Sequence, residues 1–358
     1  MVHAPAPFAT RVPLRVNLYS DTQTKPSRPM REAMLDAEVG DEQSGSDPTI
    51  NTLCDRMAAL LGKEAAMFLP SGTMCNEVAI LTHCRPGDEI LAHHTAHLLS
   101  SDGGAPSALA GAHVLGLPGP QGTFDIAALD AAERPHSRYA PPQRMVEVEQ
   151  TANLGGGAVW DTNALHAVAG WAHARGMVTH MDGARLMNAV VAAGIPAHEM
   201  AAGYDSVWLD FTKGLGAPVG AVLAGSHEFI GNAWRWKQRM GGAFRQGGIV
   251  AAACLYALDH NIDRLAEDHA NAKRLARGLA QIPGITVESP ETNLVFFDTS
   301  GTGMPAQDLA NHAREHGVLI SVMGKYRGRA CTHLDVDAVG IDEAIAAIRE
   351  TATAFVPA

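Results

Sequence analysis

The sequence is poor in aromatic residues and has no long apolar run. Phe, Trp and Tyr make up 5% of its 358 residues, although 46% are hydrophobic. No segment offers the ~18 uninterrupted apolar residues that a membrane-spanning helix requires. The opening stretch MVHAPAPFATRVPLRV also lacks the apolar centre of a secretory signal peptide. We therefore expect a cytoplasmic protein with a large, mainly aliphatic core.

An excess of positive charge is missing as well. The formal net charge is −11, which disfavours a nucleic-acid partner or an anionic membrane surface and favours a small-molecule ligand. The cysteines are odd in number, and none lies in a CxxC pair. Neither a disulfide framework nor a zinc site is indicated, and we expect no metal.

From about residue 47, helical patterns alternate with short apolar runs, which is typical of a parallel sheet covered on both faces. The first helix is predicted to begin after Asp47, with Pro48 in its first turn, and to end at Gly62. Its apolar face is predicted to carry Ile50, Leu53, Met57 and Leu60. Further helices are predicted over 73–84, 164–176 and 263–282, and strands over 65–72, 88–94, 144–151, 177–183, 219–225, 293–298 and 318–322.

The rhythm of the pattern changes after residue 255, where a long charged helix is followed by short strands and a last helix from Ile341. This change predicts a second, smaller α/β domain. We accordingly expect an N-terminal segment over 1–30, a large domain over 31–255 and a small domain over 256–358.

Polar residues stand where several predicted strands end, and the carboxyl ends of parallel strands face one crevice. Ser71, Gly72 and Thr73 mark a turn from strand to helix, whose free N–H groups suit a phosphate. The alternative is a plain turn with Thr73 as helix cap. No P-loop or GxGxxG motif is present, which disfavours nucleotide cofactors.

Two more strand ends carry Asp182, followed by Arg185, and Lys213, followed by a glycine-rich turn. Asp182 and Arg185 could pair with each other, and Lys213 could point into water. Together, however, a phosphate cradle, a buried acid for a ring nitrogen and a lysine amine are what pyridoxal phosphate requires.

The chain resembles the threonine aldolases among the fold-type I pyridoxal-phosphate enzymes. The resemblance covers nearly the whole chain. It is carried by SDTQTKPSRPMREAM (20–34), GSDPTIN (45–51), FLPSGTMCN (68–76), TAHLLSSDGG (95–104), HMDGARLMNA (180–189), TKGLGAPVG (212–220), GGAFRQGG (241–248) and RACTHLDV (329–336). It implies an aspartate aminotransferase-like large domain with a mostly parallel seven-stranded sheet, a smaller C-terminal α/β domain and a homotetramer.

By this resemblance Lys213 holds the cofactor covalently, and Gly72 and Thr73 bind its phosphate. Asp182 meets the pyridine nitrogen, and His97 stacks on the ring. On its own, the HHTAH stretch (93–97) could equally be a solvated turn or a metal cluster.

The resemblance further implies that Arg185 contacts the cofactor's phenolic oxygen and the substrate carboxylate. Ser20 and Arg329 resemble the other carboxylate contacts. Arg245 is expected near the phosphate, either within one subunit or across a subunit interface, with a surface or interface ion pair as the alternative.

The sequence departs from the family at two positions. Ala152, in EQTAN (149–153), replaces a histidine, and Ser44 replaces a tyrosine. Both changes remove a large side chain from the expected surroundings of the substrate's β-substituent, so the pocket should be wider and less polar. We therefore expect a phenylserine aldolase, with a low-specificity threonine aldolase as the alternative. The acceptor of the β-hydroxyl proton stays open between His97, Glu149 through water, and the cofactor phosphate.

Two other functions are compatible with single motifs. The same scaffold could support transamination or β-elimination, which product analysis would reveal because aldol cleavage alone gives glycine and an aldehyde. A non-catalytic module that binds the cofactor or an amino acid is disfavoured by the intact set of Lys213, Asp182 and Arg329.

Overall fold

The computed structural model describes residues 12–354, which form two compact units. The large unit comprises residues 25–263, and the small unit combines residues up to Thr24 with those from Arg264 onward. Residues 1–11 of the predicted N-terminal segment lie outside the described residues. Within the described part of the chain, no helix is both long and apolar enough to cross a membrane.

The strands within residues 12–354 are β1 (Val16–Asn17), β2 (Ala65–Leu69), β3 (Glu89–His93), β4 (His113–Leu117), β5 (Gln143–Glu149), β6 (Val178–Gly183), β7 (Ser206–Asp210), β8 (Ala221–Gly225), β9 (Thr286–Val287), β10 (Leu294–Asp298), β11 (Val318–Leu319), β12 (Ser321–Val322) and β13 (Arg327–Cys331).

The α-helices in the same range are α1 (Arg28–Leu35), α2 (Pro48–Leu61), α3 (Gly72–His83), α4 (His97–Ser100), α5 (Ala105–Leu109), α6 (Ile126–Ala132), α7 (Thr162–His173), α8 (Leu186–Ala193), α9 (Ala197–Met200), α10 (His227–Arg239), α11 (Gly248–His260), α12 (Leu265–Leu279), α13 (Ala306–Glu315) and α14 (Ala338–Ala354). Short 3-10 helices cover Asp21–Gln23, Glu42–Ser44 and Ser300–Thr302.

The large unit is built on a seven-stranded sheet of order β2-β8-β7-β6-β5-β3-β4. Strands β4, β3, β5, β6 and β7 pair in parallel, and β8 is antiparallel to both of its neighbours. The predicted mostly parallel seven-stranded sheet is therefore confirmed. Strands β5 to β7 are almost fully buried because helices cover both faces.

Helix α2 has the predicted ends. Asp47 caps its first turn by accepting a hydrogen bond from the backbone N–H of Ile50 (3.0 Å), and Gly62 ends it with a positive φ of 63°. The predicted apolar face is wrong at one position, since Leu61 is fully buried and Leu60 is only half-buried.

The small unit contains the sheet β12-β13-β10-β9 and the parallel pair of β1 with β11. The strand predicted over 318–322 is in fact two, because the chain leaves β11 at the buried Ile320 and enters a different sheet as β12. The last helix begins at Ala338, before the predicted Ile341, and Asp337 accepts a hydrogen bond from Gly340 N (2.9 Å) in its first turn.

We expect Asp47→Ala to destabilise the protein more than Asp161→Ala, although both residues cap helices. Buried Asp47 accepts hydrogen bonds from the backbone N–H groups of Gly40, Ile50 and Gly248, whereas exposed Asp161 accepts one, from Ala164. Loss of several buried hydrogen bonds should lower the free energy of unfolding by ~3 kcal/mol or more, whereas loss of an exposed cap should lower it by ~1 kcal/mol. Denaturant unfolding of the two variants tests this, and equal losses would contradict it.

Candidate active site

The residues predicted to bind a phosphate lie at the N-terminus of α3, in the large unit. Gly72 and Thr73 occupy the first two helical positions, where backbone N–H groups lack partners within the helix. Ser71 caps the helix by accepting a hydrogen bond from Met74 N (3.3 Å), so the alternative of Thr73 as cap is wrong. The arrangement suits a phosphate group at the positive end of the helix dipole.

The ring of Trp208 leaves no room for a side chain at position 72. A Cβ atom at position 72 would lie 2.2 Å from the Trp208 Cη2 atom. The indole is itself fixed, because its Nε1–H donates to Asn76 Oδ1 at 2.7 Å. The start of α3 can therefore approach β7 closely only when position 72 has no side chain.

Asp182 lies at the end of β6 and is almost completely buried. Its Oδ2 accepts a hydrogen bond from Asn76 Nδ2 (3.0 Å), and its Oδ1 accepts one from the backbone N–H of Ala184 (3.0 Å). Burial raises the pKa of Asp182, although nearby His97 and the Asn76 contact oppose the rise. A cation placed against this carboxyl group would favour its ionised form.

Asn76 also links Asp182 to His97. Its Nδ2 donates to Asp102 Oδ2 (3.3 Å) as well as to Asp182, and Asp102 Oδ1 lies 2.8 Å from His97 Nδ1. Burial alone would lower the pKa of His97, but the Asp102 hydrogen bond and the surrounding carboxylate charges raise it overall. The structure thus brings together two residues predicted from separate motifs.

Two further carboxyl groups lie on β5 beside Asp182. Glu149 is its register partner on the neighbouring strand, and burial followed by the charge of Asp182 raises the pKa of Glu149. Glu147 is fully buried, and burial holds its pKa well above the ordinary value. These groups can retain protons at neutral pH, which is a property of general acids and bases.

Lys213 follows β7, and only 17% of its side chain is exposed. Its Nζ donates to Asp210, whose other oxygen is held by the backbone N–H and hydroxyl of Thr212 at 2.8 and 2.7 Å. The ammonium also lies 5.7 Å from the centre of the Trp208 ring. The alternative of a lysine that simply points into water is wrong.

The remaining predicted residues of the large unit have varied surroundings. Buried Arg185 extends its Nη1 to within 3.5 Å of Asn153 Oδ1. Arg245 is exposed and forms an ion pair with Asp41 at 2.9 Å, as in the ion-pair alternative. Ser44 is exposed, and its hydroxyl lies 2.9 Å from that of Ser46.

Ala152 does not border an open space. Its side chain is fully buried, and an ideal Cβ built on Gly122 would lie 2.5 Å from the Ala152 methyl group. The loop around Gly122 therefore occupies the volume beside this small residue. The packing on this side of Ala152 gives no support to the wider pocket expected there.

Ser20 and Arg329 lie close together within the small unit. Arg329 Nη2 donates to the carbonyl oxygen of Tyr19, the residue before Ser20, at 3.4 Å, and its Nε donates to Ser321 Oγ at 3.1 Å. The Ser20 hydroxyl is 2.8 Å from that of Thr22. The small unit thus groups the two predicted carboxylate contacts.

The histidines of the HHTAH stretch do not converge on one point. His93 contacts the Thr95 hydroxyl and the Gly119 carbonyl, and His94 contacts the Leu117 carbonyl. Within residues 12–354, no group of three or more His, Cys, Asp or Glu side chains is arranged to hold a metal ion. Here the metal alternative finds no support.

The sequence analysis missed Asn76, Asp102, Trp208 and Asp210. Asn76 and Asp102 lie inside motifs quoted for the family resemblance, one turn into α3 and just after α4. A polar residue on an otherwise apolar helix face is the signal that could have identified Asn76. Asp210 ends the same predicted strand that leads to Lys213.

These residues fit pyridoxal phosphate. The α3 N-terminus offers N–H donors for the phosphate, and a side chain at position 72 would fill that cradle. Asp182 is a buried acid suited to a ring nitrogen, and Lys213 supplies an amine at the neighbouring strand end. When bound, the cofactor supplies an aldehyde that condenses with amines and a ring that accepts electrons from a broken bond.

Comparison with known proteins supports the same class. The sequence profile of the beta-eliminating lyase family matches residues 17–302. Low-specificity L-threonine aldolase 1 of Arabidopsis thaliana is 39% identical over 325 residues, which cover 89% of this chain and 91% of that protein. The low-specificity L-threonine aldolase of Escherichia coli K12 is 39% identical over 328 residues, covering 90% of this chain and 94% of that protein.

The fold is shared with the threonine aldolase of Leishmania major, at a TM-score of 0.80 and 19% identity, over 94% of this chain and 100% of that one. The fold and the site together define a fold-type I pyridoxal-phosphate enzyme. The chain belongs to the threonine aldolase family within the beta-eliminating lyases, and it is a pyridoxal-phosphate-dependent carbon–carbon lyase.

We expect Gly72→Ala to destabilise the protein and to weaken cofactor binding. The added methyl group collides with the Trp208 ring, and moving that ring should cost ~2 kcal/mol. Gly170→Ala is the matched control, because Gly170 lies in α7 and an added Cβ would meet no atom within 4 Å. The control should be stabilising by up to ~1 kcal/mol. Thermal unfolding and cofactor titration test this, and equal behaviour of the two variants would contradict it.

We also expect Glu77→Leu to stabilise the cofactor-free protein more at pH 8 than at pH 5. Glu77 is buried in α3, and neither carboxyl oxygen has a hydrogen-bond partner among the described residues. Burial, followed by the charge of Asp102, raises the pKa of Glu77 to about 8. The folded state therefore binds the proton of the Glu77 carboxyl group more tightly than the unfolded state does. This tighter binding stabilises the folded protein at low pH, and the stabilisation is lost as the pH rises towards 8.

The leucine variant has no such proton to lose, so its advantage should grow across this range. Glu267→Leu is the control because Glu267 is 75% exposed, and its effect should not vary with pH in this way. The free energies of unfolding of wild type and both variants, measured at pH 5 and pH 8, test this prediction. A constant difference between wild type and Glu77→Leu would contradict the prediction.

Proposed function

We propose that the protein cleaves small L-β-hydroxy-α-amino acids, chiefly L-threonine and L-allo-threonine, to glycine and an aldehyde. The observation that carries this proposal is the 39% identity to low-specificity L-threonine aldolases over about nine tenths of both chains. The geometry of the large unit supports it, because Lys213, Asp182 and His97 come from separate motifs and lie in one electrostatically coupled group.

In this proposal Lys213 would hold the cofactor through its side-chain amine. Gly72 and Thr73 bind the phosphate through the N-terminus of α3. Asp182 would hold the proton on the ring nitrogen, and the bound ring would supply an acceptor for electrons. His97, oriented by its hydrogen bond to Asp102, would contact the ring, as the family resemblance implies.

We assign the substrate carboxylate to Arg185, Ser20 and Arg329, on the basis of the family resemblance. A planar guanidinium suits a planar carboxylate, and firm binding of that group sets which bond at Cα is oriented for cleavage. Glu149 is our choice for the acceptor of the β-hydroxyl proton. Burial and the charge of Asp182 raise the pKa of Glu149 to about 8, so its ionised form is a stronger base than an ordinary carboxylate.

A preference for phenylserine was expected from the small residues Ala152 and Ser44. The packing of Ala152 against Gly122 weakens that expectation, and the relatives support threonine as the better choice. We keep a homotetramer as part of the proposal, since it follows from the family resemblance alone.

The proposal is tested by the products and the relative rates of the purified holoenzyme. L-Threonine should give glycine and acetaldehyde in equal amounts, with a higher kcat/KM than phenylserine. Lys213→Ala should lose turnover by ~1000-fold or more and lose the visible absorption of the bound cofactor, because the amine is its covalent anchor. The surface variant Lys325→Ala should keep both.

Two results would overturn the proposal. Release of ammonia and an oxo acid in place of glycine would indicate another pyridoxal-phosphate reaction. A kcat/KM for phenylserine above that for threonine would instead support the aryl preference first expected from the sequence.

A further inference from the structure

A row of hydrogen-bonded side chains leads through the large unit to Asp182. His83 Nε2 lies 2.9 Å from Ser206 Oγ, which lies 2.8 Å from His180 Nδ1. His180 Nε2 lies 3.2 Å from Asn76 Oδ1, and Asn76 Nδ2 lies 3.0 Å from Asp182 Oδ2. The row connects the end of α3 and the first residue of β7 with the carboxyl end of β6.

The chemistry of Trp208 fixes the direction of the hydrogen bonds that Asn76 makes in this row. Its indole N–H can only donate, so the atom of Asn76 that it contacts must be the oxygen. The Asn76 amide nitrogen therefore faces the carboxyl groups. Because that oxygen also faces His180, the His180 proton must lie on Nε2.

The directions of the remaining hydrogen bonds follow because His180 and His83 are both uncharged. Burial lowers the pKa of His180 to about 3 and that of His83 to about 4, so neither carries a charge at neutral pH. Neutral His180, protonated on Nε2, must accept a hydrogen bond at Nδ1 from the Ser206 hydroxyl. Ser206 Oγ in turn accepts the Nε2–H of His83. All the donors thus point along the row towards Asp182.

Such a head-to-tail row is polarised cooperatively, and each bond strengthens the next. It does not carry protons, because the amide of Asn76 neither takes up nor releases one at neutral pH. Asn76 uses its second N–H on Asp102, the partner of His97. The row therefore ends on two acids, Asp182 and the Asp102 that contacts His97.

We propose that Asn76, His180, Ser206 and His83 are positioning residues that hold Asp182 and Asp102 in the orientation the cofactor requires. The proposal rests on the proposed assignment of Asp182 to the ring nitrogen. It extends the functional unit from the strand ends to Ser206, at the opposite end of β7.

The first test uses the wild-type protein without cofactor. Nitrogen-15 NMR of labelled histidine should show His180 as the neutral tautomer protonated on Nε2, with the same tautomer for His83. A His180 ring protonated on Nδ1, or on both nitrogens at neutral pH, would overturn the proposal without any need for a variant.

The second test is Ser206→Ala, which removes the hydroxyl group that joins the two histidines. The dissociation constant for pyridoxal phosphate should rise by about tenfold, a typical effect of losing one hydrogen bond that orients a binding group. The pH dependence of the bound cofactor's absorption should also shift. Ser206→Thr restores a hydroxyl group and should bring both values back towards wild type.

Thr351→Val is the matched control, because it removes a buried hydroxyl group that donates only to a helix carbonyl, that of Ala347. It should leave cofactor affinity and absorption unchanged.

Asp182→Asn, measured alongside, separates the positioning proposal from the proposed role of Asp182. If it weakens binding while Ser206→Ala does not, the row has no positioning role and the assignment of Asp182 stands. If neither changes affinity or absorption, the assignment of Asp182 fails, and the positioning proposal fails with it.

Discussion

Two carboxyl groups, Asp102 and Asp182, lie on either side of one amide group in the interior of the large unit. The Asn76 amide donates one hydrogen bond to each of them and accepts two more, from Trp208 and His180. A buried carboxylate without donors would cost several kcal/mol, so this amide makes the acidic site possible. Because Asn76 lies in α3, it also connects the first turns of that helix to Asp182 on β6.

Trp208 connects the same helix to the strand that leads to Lys213. Its ring excludes any side chain at position 72, its N–H fixes the Asn76 amide, and its face lies below the Lys213 ammonium. Gly72, Asp182 and Lys213, which we propose bind the cofactor, therefore share one rigid neighbour. This explains how short motifs that are far apart in the sequence combine into one site.

Sequence reasoning succeeded where a feature depends on interactions between residues that are close together in the sequence. Helix α2 could be predicted because Asp47 and Gly62 act on their own turns. The places of Asp182 and Lys213 near strand ends could be predicted because short apolar runs precede them. Sequence reasoning failed where a feature depends on a residue that is far away in the sequence. The break at Ile320 depends on two different sheets, and Asn76 gains its importance from residues on β6 and β7. The surroundings of Ala152 likewise depend on a distant partner, because Gly122, in a separate loop, lies beside it.

The small unit joins both ends of the described chain, since β1 pairs with β11 and Asn293 donates to the buried Asp21 at 3.0 Å. On the ribosome, residues 25–263 emerge with all seven strands of the large sheet before β11 is synthesised. Throughout that interval, β1 has an open backbone edge and no strand to pair with. The large unit can therefore mature during translation, while the small unit has to wait for the second half of its own polypeptide, and Arg329 reaches Tyr19 only after that.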